Sequence, residues 1–97
     1  MLKFKDMWND VNKLVNDKKD YFSIDNELQN VFLIKNGDDF VLLTKEDFVN
    51  LWSKILLNNK CCIKDAIDKS DIKLYYICKI MKELPYIREE NEEMILI

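Results

Sequence analysis

The chain has 97 residues, of which 48% are hydrophobic and 34% charged, so it is long enough for one folded domain and too short for two hydrophobic cores. It contains no run of ~18 uncharged apolar residues and no apolar core near its start, and we therefore expect neither a membrane span nor a signal peptide. The net charge of −3 gives no general attraction for nucleic acid, so any contact with phosphates needs a local group of lysines.

The first predicted element is a helix from Leu2 to Lys19 with one apolar side. Apolar side chains recur in it at spacings of three and four residues, which places them within an arc of about 120°. On the other side, Lys13, Lys18 and Lys19 indicate a solvated face rather than a phosphate site. The residues of the apolar side are Phe4, Met7, Trp8, Val11, Leu14 and Val15.

Two or three strands follow this helix. A short one is predicted over Tyr21 to Ile24, and two more over Val31 to Lys35 and Phe40 to Leu43. The last two flank Asn36-Gly37-Asp38-Asp39, and Asn-Gly between apolar runs is the strongest short hairpin signal, because both residues tolerate a positive φ. We therefore expect a β-hairpin at this point of the chain.

A second helix is predicted to begin after Thr44 and to end near Asn58. Thr44 is a good N-cap, and the acidic residues that follow it suit the positive end of the helix dipole. The apolar side of this helix contains Phe48, Leu51, Trp52, Ile55 and Leu56.

The rest of the chain alternates short and longer elements. An extended segment over Cys61 to Ile63 leads into one or two helical turns over Lys64 to Asp68, and a polar turn then leads into a longer helix from about Asp71 to Leu84. Pro85 ends this helix, because the residue before a proline disfavours the α region. Two strands joined by an acidic turn complete the chain: Tyr86 to Glu89, the turn Glu90-Asn91-Glu92, and Glu93 to Ile97.

The element order from Thr44 onwards resembles a winged helix-turn-helix, a family of mostly DNA-binding domains. The sequence therefore predicts one α+β domain over residues 1–97, in which residues 1–43 add a helix and a β-hairpin to a winged helix-turn-helix core over residues 44–97. With a composition typical of AT-rich genomes, this arrangement looks like the TcpK-type proteins of clostridial conjugative plasmids. That resemblance implies a small winged helix that binds the origin of transfer in the relaxosome, with an unusually strong contribution from the wing.

The resemblance makes the longer helix the recognition helix, which is expected to pack its apolar side on the second helix and to present its other side to DNA. Lysine and tyrosine donate hydrogen bonds to phosphates, and Arg88, the single arginine of the chain, offers a planar fork suited to phosphate or guanine. The predicted DNA contacts are Ser70, Lys73, Tyr75, Tyr76, Lys79, Lys82, Arg88 and Asn91.

Several of these residues have a second interpretation. Tyr75 and Tyr76 are also typical of a dimer contact or of half-buried packing, and Arg88 of an ion pair with Glu92 or Glu93. The segment from Glu89 to Glu93, around the turn between the last two strands, holds four carboxylates within five residues, and these repel phosphates. Either this turn points away from DNA, or it binds a basic partner, or the domain does not bind DNA.

The residue types argue against catalysis and against a metal site. The chain has no histidine, the usual base for a serine or cysteine nucleophile, and no glycine-rich phosphate loop. Cys61, Cys62 and Cys78 are odd in number and lack the paired CxxC spacing of a zinc site. We therefore expect buried cysteines in a reducing cytoplasm, no metal, no cofactor and no enzymatic activity.

Two function classes remain. The first is a sequence-specific double-stranded DNA-binding protein, a homodimer on two-fold related half-sites. It would act with other proteins of a DNA-processing complex as a plasmid or mobile-element accessory factor, or as a small transcriptional regulator. The second is an acidic protein-interaction module, such as a phage- or plasmid-encoded inhibitor or an immunity-type protein, favoured by the excess of acidic residues in 21–44 and 86–97.

Overall fold

A computed structural model of the chain describes residues 3–22, 24–28 and 30–97, and for 25–28 it describes the backbone alone. The elements are α1 (Phe4–Asp17), β1 (Ile24–Leu28), β2 (Val31–Asn36), β3 (Asp39–Thr44), α2 (Lys45–Asn58), β4 (Lys60–Cys62), α3 (Lys64–Ile67), α4 (Ile72–Met81), β5 (Ile87–Glu90) and β6 (Glu93–Leu96). The strands form two antiparallel sheets, ordered β1-β2-β3 and β4-β6-β5, which confirms the α+β class. Among the described residues, no helix combines the length and the apolar character that crossing a bilayer requires.

The predicted N-terminal helix is present but ends at Asp17 rather than Lys19, and its predicted first residue, Leu2, lies outside the described residues. It lies against α2 and α4, and its Trp8 ring packs on Phe32 of β2 and Phe48 of α2, with centroid separations of 5.7 and 5.4 Å. Aromatic pairs at such separations add to the stabilisation that burial gives. The N-terminal helix and hairpin therefore share one hydrophobic core with the second half of the chain.

The strand predicted over Tyr21 to Ile24 is wrong. Residues 18–22 form turns, in which the Phe22 N–H donates to the Lys18 carbonyl oxygen at 3.2 Å, and the first strand begins only at Ile24. Phe22 is buried, so its apolar side chain is part of the hydrophobic core although it does not lie in a strand. The same turns leave Tyr21 exposed at the surface.

The hairpin is confirmed, with a shorter turn than the sequence predicts. Asn36 pairs with Asp39 at the ends of β2 and β3, which leaves Gly37 and Asp38 as the loop. Gly37 has a φ of +65°, whereas Asn36 and Asp38 have negative φ values. A glycine at the first of two loop positions is typical of a type II′ turn, whose twist matches that of the strands. Asn36 is therefore a strand residue.

Helix α2 begins at the predicted cap. The Asp47 N–H donates to Thr44 Oγ1 at 3.3 Å and the Thr44 N–H donates to Asp47 Oδ2 at 2.8 Å, so the two residues form a capping box. Such a cap contributes about 1 kcal/mol. At the other end, Asn59 adopts a φ of +60°, a left-handed conformation that asparagine tolerates.

A polar turn joins the short α3 to α4, as predicted. Lys69 in this turn has a φ of +60°, which reverses the chain direction within a few residues. Asp71 caps α4, because its side chain accepts a hydrogen bond from the Leu74 N–H at 3.0 Å. The two helices therefore follow each other across four residues, 68–71.

Helix α4 differs from the prediction in its length and in its packing. It ends at Met81 rather than Leu84, because the N–H groups of Glu83 and Leu84 donate to carbonyl oxygens three residues earlier, at 3.2 and 3.0 Å. This tighter 3₁₀-type turn precedes Pro85. The helix packs chiefly against α3, β3 and α1 rather than on α2.

The last two strands form the predicted hairpin around a turn of two residues instead of three. Asn91 and Glu92 have φ values of +52° and +61°, as a type I′ turn requires. Strand β6 also pairs with β4, where Met94 lies opposite Cys61. The hairpin is thus joined to the segment between α2 and α3.

Candidate nucleic-acid interface

Helix α4 exposes one narrow side along most of its length. At 100° per residue, Ile72, Tyr75 and Lys79 fall within an arc of about 60°, and Lys82 in the following turn continues it. Ile72 and Lys82 are exposed, and Tyr75 and Lys79 are half-buried. Much of the remaining surface of α4 is buried, at Tyr76, Ile77, Cys78, Ile80 and Met81, so this side is a surface of the helix that a large partner could contact.

Lysine side chains lie beside tyrosine rings on this side of α4 and on the loop after α1. Lys69 Nζ lies 4.8 Å from the centre of the Tyr75 ring, while Lys79 Nζ and Lys18 Nζ lie 5.1 and 5.7 Å from the centre of the Tyr21 ring. Each separation is within the range of cation–π attraction, which contributes about 0.5–1 kcal/mol at exposed sites. We define the lysine–tyrosine stripe as Lys18, Tyr21, Lys69, Tyr75, Lys79 and Lys82.

The positive charge of the stripe is only partly compensated. Glu83 Oε1 lies 4.0 Å from Lys18 Nζ, at the limit of an ion pair and with both side chains partly exposed, so this pair contributes little. Within the part of the chain that the structure describes, Lys69, Lys79 and Lys82 take part in no ion pair. These three ammonium groups are therefore available to an anionic partner.

A shallow groove runs between α3, α4 and β5 beside the stripe. Its floor is apolar and its rim carries Lys79, Lys82 and Glu89. Burial raises the pKa of the Cys78 thiol to about 12, so the floor of the groove is uncharged at neutral pH. The groove thus places apolar surface next to positive charge. Its lining consists of Ile63, Ala66, Ile67, Tyr75, Cys78, Lys79, Lys82 and Glu89.

Ser70 and Lys73 are both held by neighbouring carboxylates. Ser70 Oγ donates to Asp65 Oδ1 at 3.2 Å, which closes the turn between α3 and α4. Lys73 Nζ lies 3.3 Å from Asp47 Oδ2 of α2, on a different side of α4 from the stripe. Of these two predicted contacts, Ser70 lies at the end of the stripe, whereas Lys73 joins α4 to α2.

Tyr76 is in the core, and the prediction that it lies on the open side of the helix with Tyr75 is wrong. Its side chain is 8% exposed, and its hydroxyl donates to Asn36 Oδ1 of β2 at 3.0 Å. The reason is tertiary, because β3 and α1 cover a side of α4 that helical periodicity alone leaves open. The two adjacent tyrosines therefore have different roles.

Arg88 and Asn91 lie on a hairpin with a negatively charged tip. Arg88 Nε is 3.1 Å from Glu90 Oε2, so its ion-pair partner is Glu90 rather than Glu92 or Glu93. Asn91 is exposed at the turn itself, between the exposed carboxylates of Glu90 and Glu92. Of the predicted contacts, these two are therefore the least favourably placed for phosphates.

Sequence reasoning missed the part of the stripe that lies outside α4. It placed Tyr21 in a strand and Lys18 on a solvated face, and it gave Lys69 no function. No periodicity links Tyr21 or Lys18 to Lys79, because they meet only through the packing of α1 on α4. A basic and aromatic composition of residues 18–21 was the one local signal available.

Comparisons with known proteins add no relative from which a function could be transferred. No protein-family model, curated protein or solved structure matches the chain. Across the residues that the structure describes, no three or more histidine, cysteine, aspartate or glutamate side chains are grouped so that they could hold a metal ion. The stripe and its groove are thus the surface features that point most directly to a partner.

Proposed function

We propose that the protein binds double-stranded DNA as a winged helix-turn-helix domain, with α4 in the major groove. The observation that carries this proposal is the position of the lysine–tyrosine stripe on the exposed side of α4. Ammonium groups and tyrosine hydroxyls donate hydrogen bonds to phosphate oxygens, and a major groove about 12 Å wide admits an α-helix. Lys18 and Tyr21 would extend the contact onto the phosphates beside the groove.

The topology of the second half supports the same proposal. Helices α2, α3 and α4 are followed by the β5–β6 hairpin, and β4, which lies between α2 and α3 in sequence, pairs with β6. A helix-turn-helix followed by such a hairpin is the element order of the winged helix-turn-helix that the sequence resembles. The β5–β6 hairpin is then the wing.

The wing has the lesser part in the proposed contact. Its tip exposes Glu89, Glu90 and Glu92, and Arg88 is paired with one of these carboxylates. Like charges repel, so we assign the leading contact to α4, in contrast to the strong wing contribution that the TcpK-type resemblance implies. The proposed setting is a plasmid origin of transfer, or alternatively the operator of a small transcriptional regulator.

Two copies of the protein are proposed to bind one site. The exposed side of α4 belongs to a helix of ten residues and reaches only a few base pairs, so a second copy on a two-fold related half-site would supply the remaining contacts. Sedimentation equilibrium with a defined duplex should give two chains per site. A complex of one chain per duplex would contradict the dimer while leaving DNA binding intact.

The wing tip favours a second candidate function. A cluster of exposed carboxylates also suits the basic surface of a protein partner, as an acidic interaction module requires. If this is the function, replacement of Glu89, Glu90 and Glu92 by glutamine weakens the complex with that partner. The wild-type protein then binds no DNA duplex.

Gel shifts with a random-sequence duplex library and with DNA that flanks the gene separate these functions. If each stripe lysine neutralises one phosphate, each contributes about −0.9 to the slope of log K against log salt concentration. For the four stripe lysines together, this slope corresponds to about a hundredfold loss of affinity between 50 and 200 mM salt. The double variant Lys79→Ala/Lys82→Ala should reduce the slope by about two, and Lys13→Ala, exposed elsewhere on α1, should leave it unchanged. No shifted band at 50 mM salt would contradict DNA binding.

A further inference from the structure

We propose that the protein selects its DNA site through apolar contact with thymine methyl groups, made by Ile72 and Tyr75 in the first half of α4. This inference rests on the proposed DNA binding and specifies how the sequence is read. It makes the target a duplex with A·T pairs at the positions that face Ile72, rather than a site read by hydrogen bonds to guanine.

The first half of α4 lacks a free side chain that reads bases by paired hydrogen bonds. Arginine or lysine reads guanine, and asparagine or glutamine reads adenine, through two such bonds. All residues of α4 are described, and none of them is an arginine, asparagine or glutamine. Of the lysines, Lys73 is paired with Asp47 at 3.3 Å, and Lys79 and Lys82 lie towards the other end of the helix. Arg88 lies on β5, and its Nε is paired with Glu90 Oε2 at 3.1 Å, so this arginine is not free to form paired hydrogen bonds with guanine.

The side chains exposed around the start of α4 are instead apolar. Ile72 is the first residue of α4 and is 36% exposed, and Ile67 at the end of α3 is 47% exposed. Tyr75 lines the same groove as Ile67, so the exposed apolar side chains lie around the turn that precedes α4. Both isoleucine side chains keep part of their apolar surface exposed in the folded protein, so both can bury further surface against a partner.

The two halves of α4 therefore have different chemistry. Its first half presents Ile72 and Tyr75, whereas the charged Lys79 lies towards its end and Lys82 follows in the next turn. In a helix-turn-helix, the N-terminal residues of the recognition helix contact base edges, and charged residues elsewhere contact the backbone. The C5-methyl of thymine is the apolar group that the major groove offers, so it is the natural partner of an exposed isoleucine.

The experiment replaces thymine by uracil, which removes that methyl and leaves the hydrogen-bonding groups unchanged. A duplex is first selected from a random library with the wild-type protein, and each dT is then replaced in turn by dU. Fluorescence anisotropy measures the affinity of each duplex. Burial of one methyl-sized group corresponds to about a fourfold change in affinity, so we expect a fourfold weakening at one or two positions in each half-site.

The same duplexes are then titrated with two variants, each of which replaces one exposed aliphatic side chain by alanine. Ile72→Ala should bind the dT duplex about as weakly as the wild type binds the dU duplex, and its dT-to-dU ratio should fall to about one. Leu57→Ala, on α2 and 81% exposed in the wild type, is the matched control and should keep the fourfold ratio. Because the substitution in DNA is made with the wild-type protein, the test does not depend on how well any variant folds.

The outcomes distinguish this inference from the proposed function. Equal affinity for dT and dU at every position, or a selected site in which all preferred positions are G·C, would overturn thymine recognition while DNA binding stands. If the wild-type protein binds no duplex at 50 mM salt, both proposals are overturned.

Discussion

The Lys79 ammonium nitrogen lies 5.1 Å from the centre of the Tyr21 ring, so the exposed end of α4 and the loop after α1 form one surface. Lys18 approaches the same ring at 5.7 Å. A tyrosine between two lysines holds their charges at the surface and keeps them close together, although like charges repel. The N-terminal segment is therefore part of the candidate DNA-binding surface and is more than a support for the core.

The first prediction concerns this ring. Tyr21→Ala should weaken DNA binding by about two- to fivefold, because loss of the ring releases both lysines from a cation–π contact of about 0.5–1 kcal/mol. Tyr21→Phe keeps the ring and is the matched control, so it should lose only the hydrogen bond of the hydroxyl and bind more tightly than Tyr21→Ala. Fluorescence anisotropy with the selected duplex measures both. Equal weakening by the two variants would show that the hydroxyl matters and the ring does not.

The second prediction concerns the tip of the β5–β6 hairpin, the proposed wing. Glu90→Gln should tighten DNA binding by about two- to fivefold, because it removes one negative charge and frees Arg88, whose Nε is 3.1 Å from Glu90 Oε2. Glu46→Gln, which removes an exposed charge from α2, is the control and should change the affinity less. Unchanged affinity in Glu90→Gln at 50 mM salt would place the wing tip well beyond the Debye length from the DNA.

The third prediction separates Tyr76 from Tyr75. Tyr76→Phe removes the hydrogen bond from the Tyr76 hydroxyl to Asn36 Oδ1 and should lower the free energy of unfolding by about 1 kcal/mol. Combined with Asn36→Ala in a double-mutant cycle followed by urea unfolding, it should show a coupling of similar size. DNA affinity should be unchanged, since Tyr76 is buried. Additive effects on unfolding would argue that the hydrogen bond contributes nothing.

The fourth prediction concerns the three thiols. Cys62 is exposed and Cys61 is half-buried, so the expectation that the cysteines are buried is correct only for Cys78. Burial raises the pKa of Cys61, and burial raises the pKa of Cys78 to about 12. Because the thiolate is the form that reacts, iodoacetamide at pH 8 should modify Cys62 first, Cys61 more slowly, and Cys78 only after unfolding in urea. Mass spectrometry of peptides from timed samples gives the order. Rapid modification of Cys78 in the folded protein would contradict its position in the core.

The fifth prediction concerns stability at alkaline pH. Burial and a hydrogen bond donated to Asp10 Oδ2, at 2.8 Å, raise the pKa of the Tyr86 hydroxyl. The folded chain therefore keeps this proton at pH values where the unfolded chain, with an ordinary tyrosine pKa of about 10, has lost it. The contribution of Tyr86 is present below pH ~10 and is lost as pH rises above that value.

Urea midpoints at pH 8, 9.5 and 11 test this dependence. The wild type should lose stability over the last interval, and Tyr86→Phe should lose less, since it has no proton to release. Cys78, whose pKa is also raised, is present in both proteins and cancels from the comparison. Parallel curves for the two proteins would contradict a folded-state role for the Tyr86 hydroxyl.

The parts of the fold that the sequence predicts well are those with local signals. Thr44 and Asp47 form the expected cap of α2, Gly37 forms the expected hairpin turn, and Pro85 follows the end of α4. Each signal acts within a few residues, because capping, turn geometry and the clash before proline involve only neighbouring backbone groups. These signals locate α3 and the start of α4 along the chain, whereas the end of α4 and the elements on which it packs differ from the prediction.

The parts that the sequence does not predict depend on packing between distant segments. Tyr76 looks like an exposed residue by periodicity and is buried because β3 and α1 cover it. Tyr21 looks like a strand residue and instead lies in a turn that brings it to Lys79. The position of neither tyrosine follows from the sequence around it, since each depends on which distant segment packs against that residue.

The most direct test of the central claim is an NMR titration of the ¹⁵N-labelled protein with the selected duplex. If α4 and the lysine–tyrosine stripe form the DNA interface, the largest amide shift changes should fall at residues 69–72, at Tyr75, Lys79 and Lys82, and at Lys18 and Tyr21. The tip of the wing should change less. Changes confined to the wing or to the Gly37 hairpin, or no changes at 50 mM salt, would contradict it.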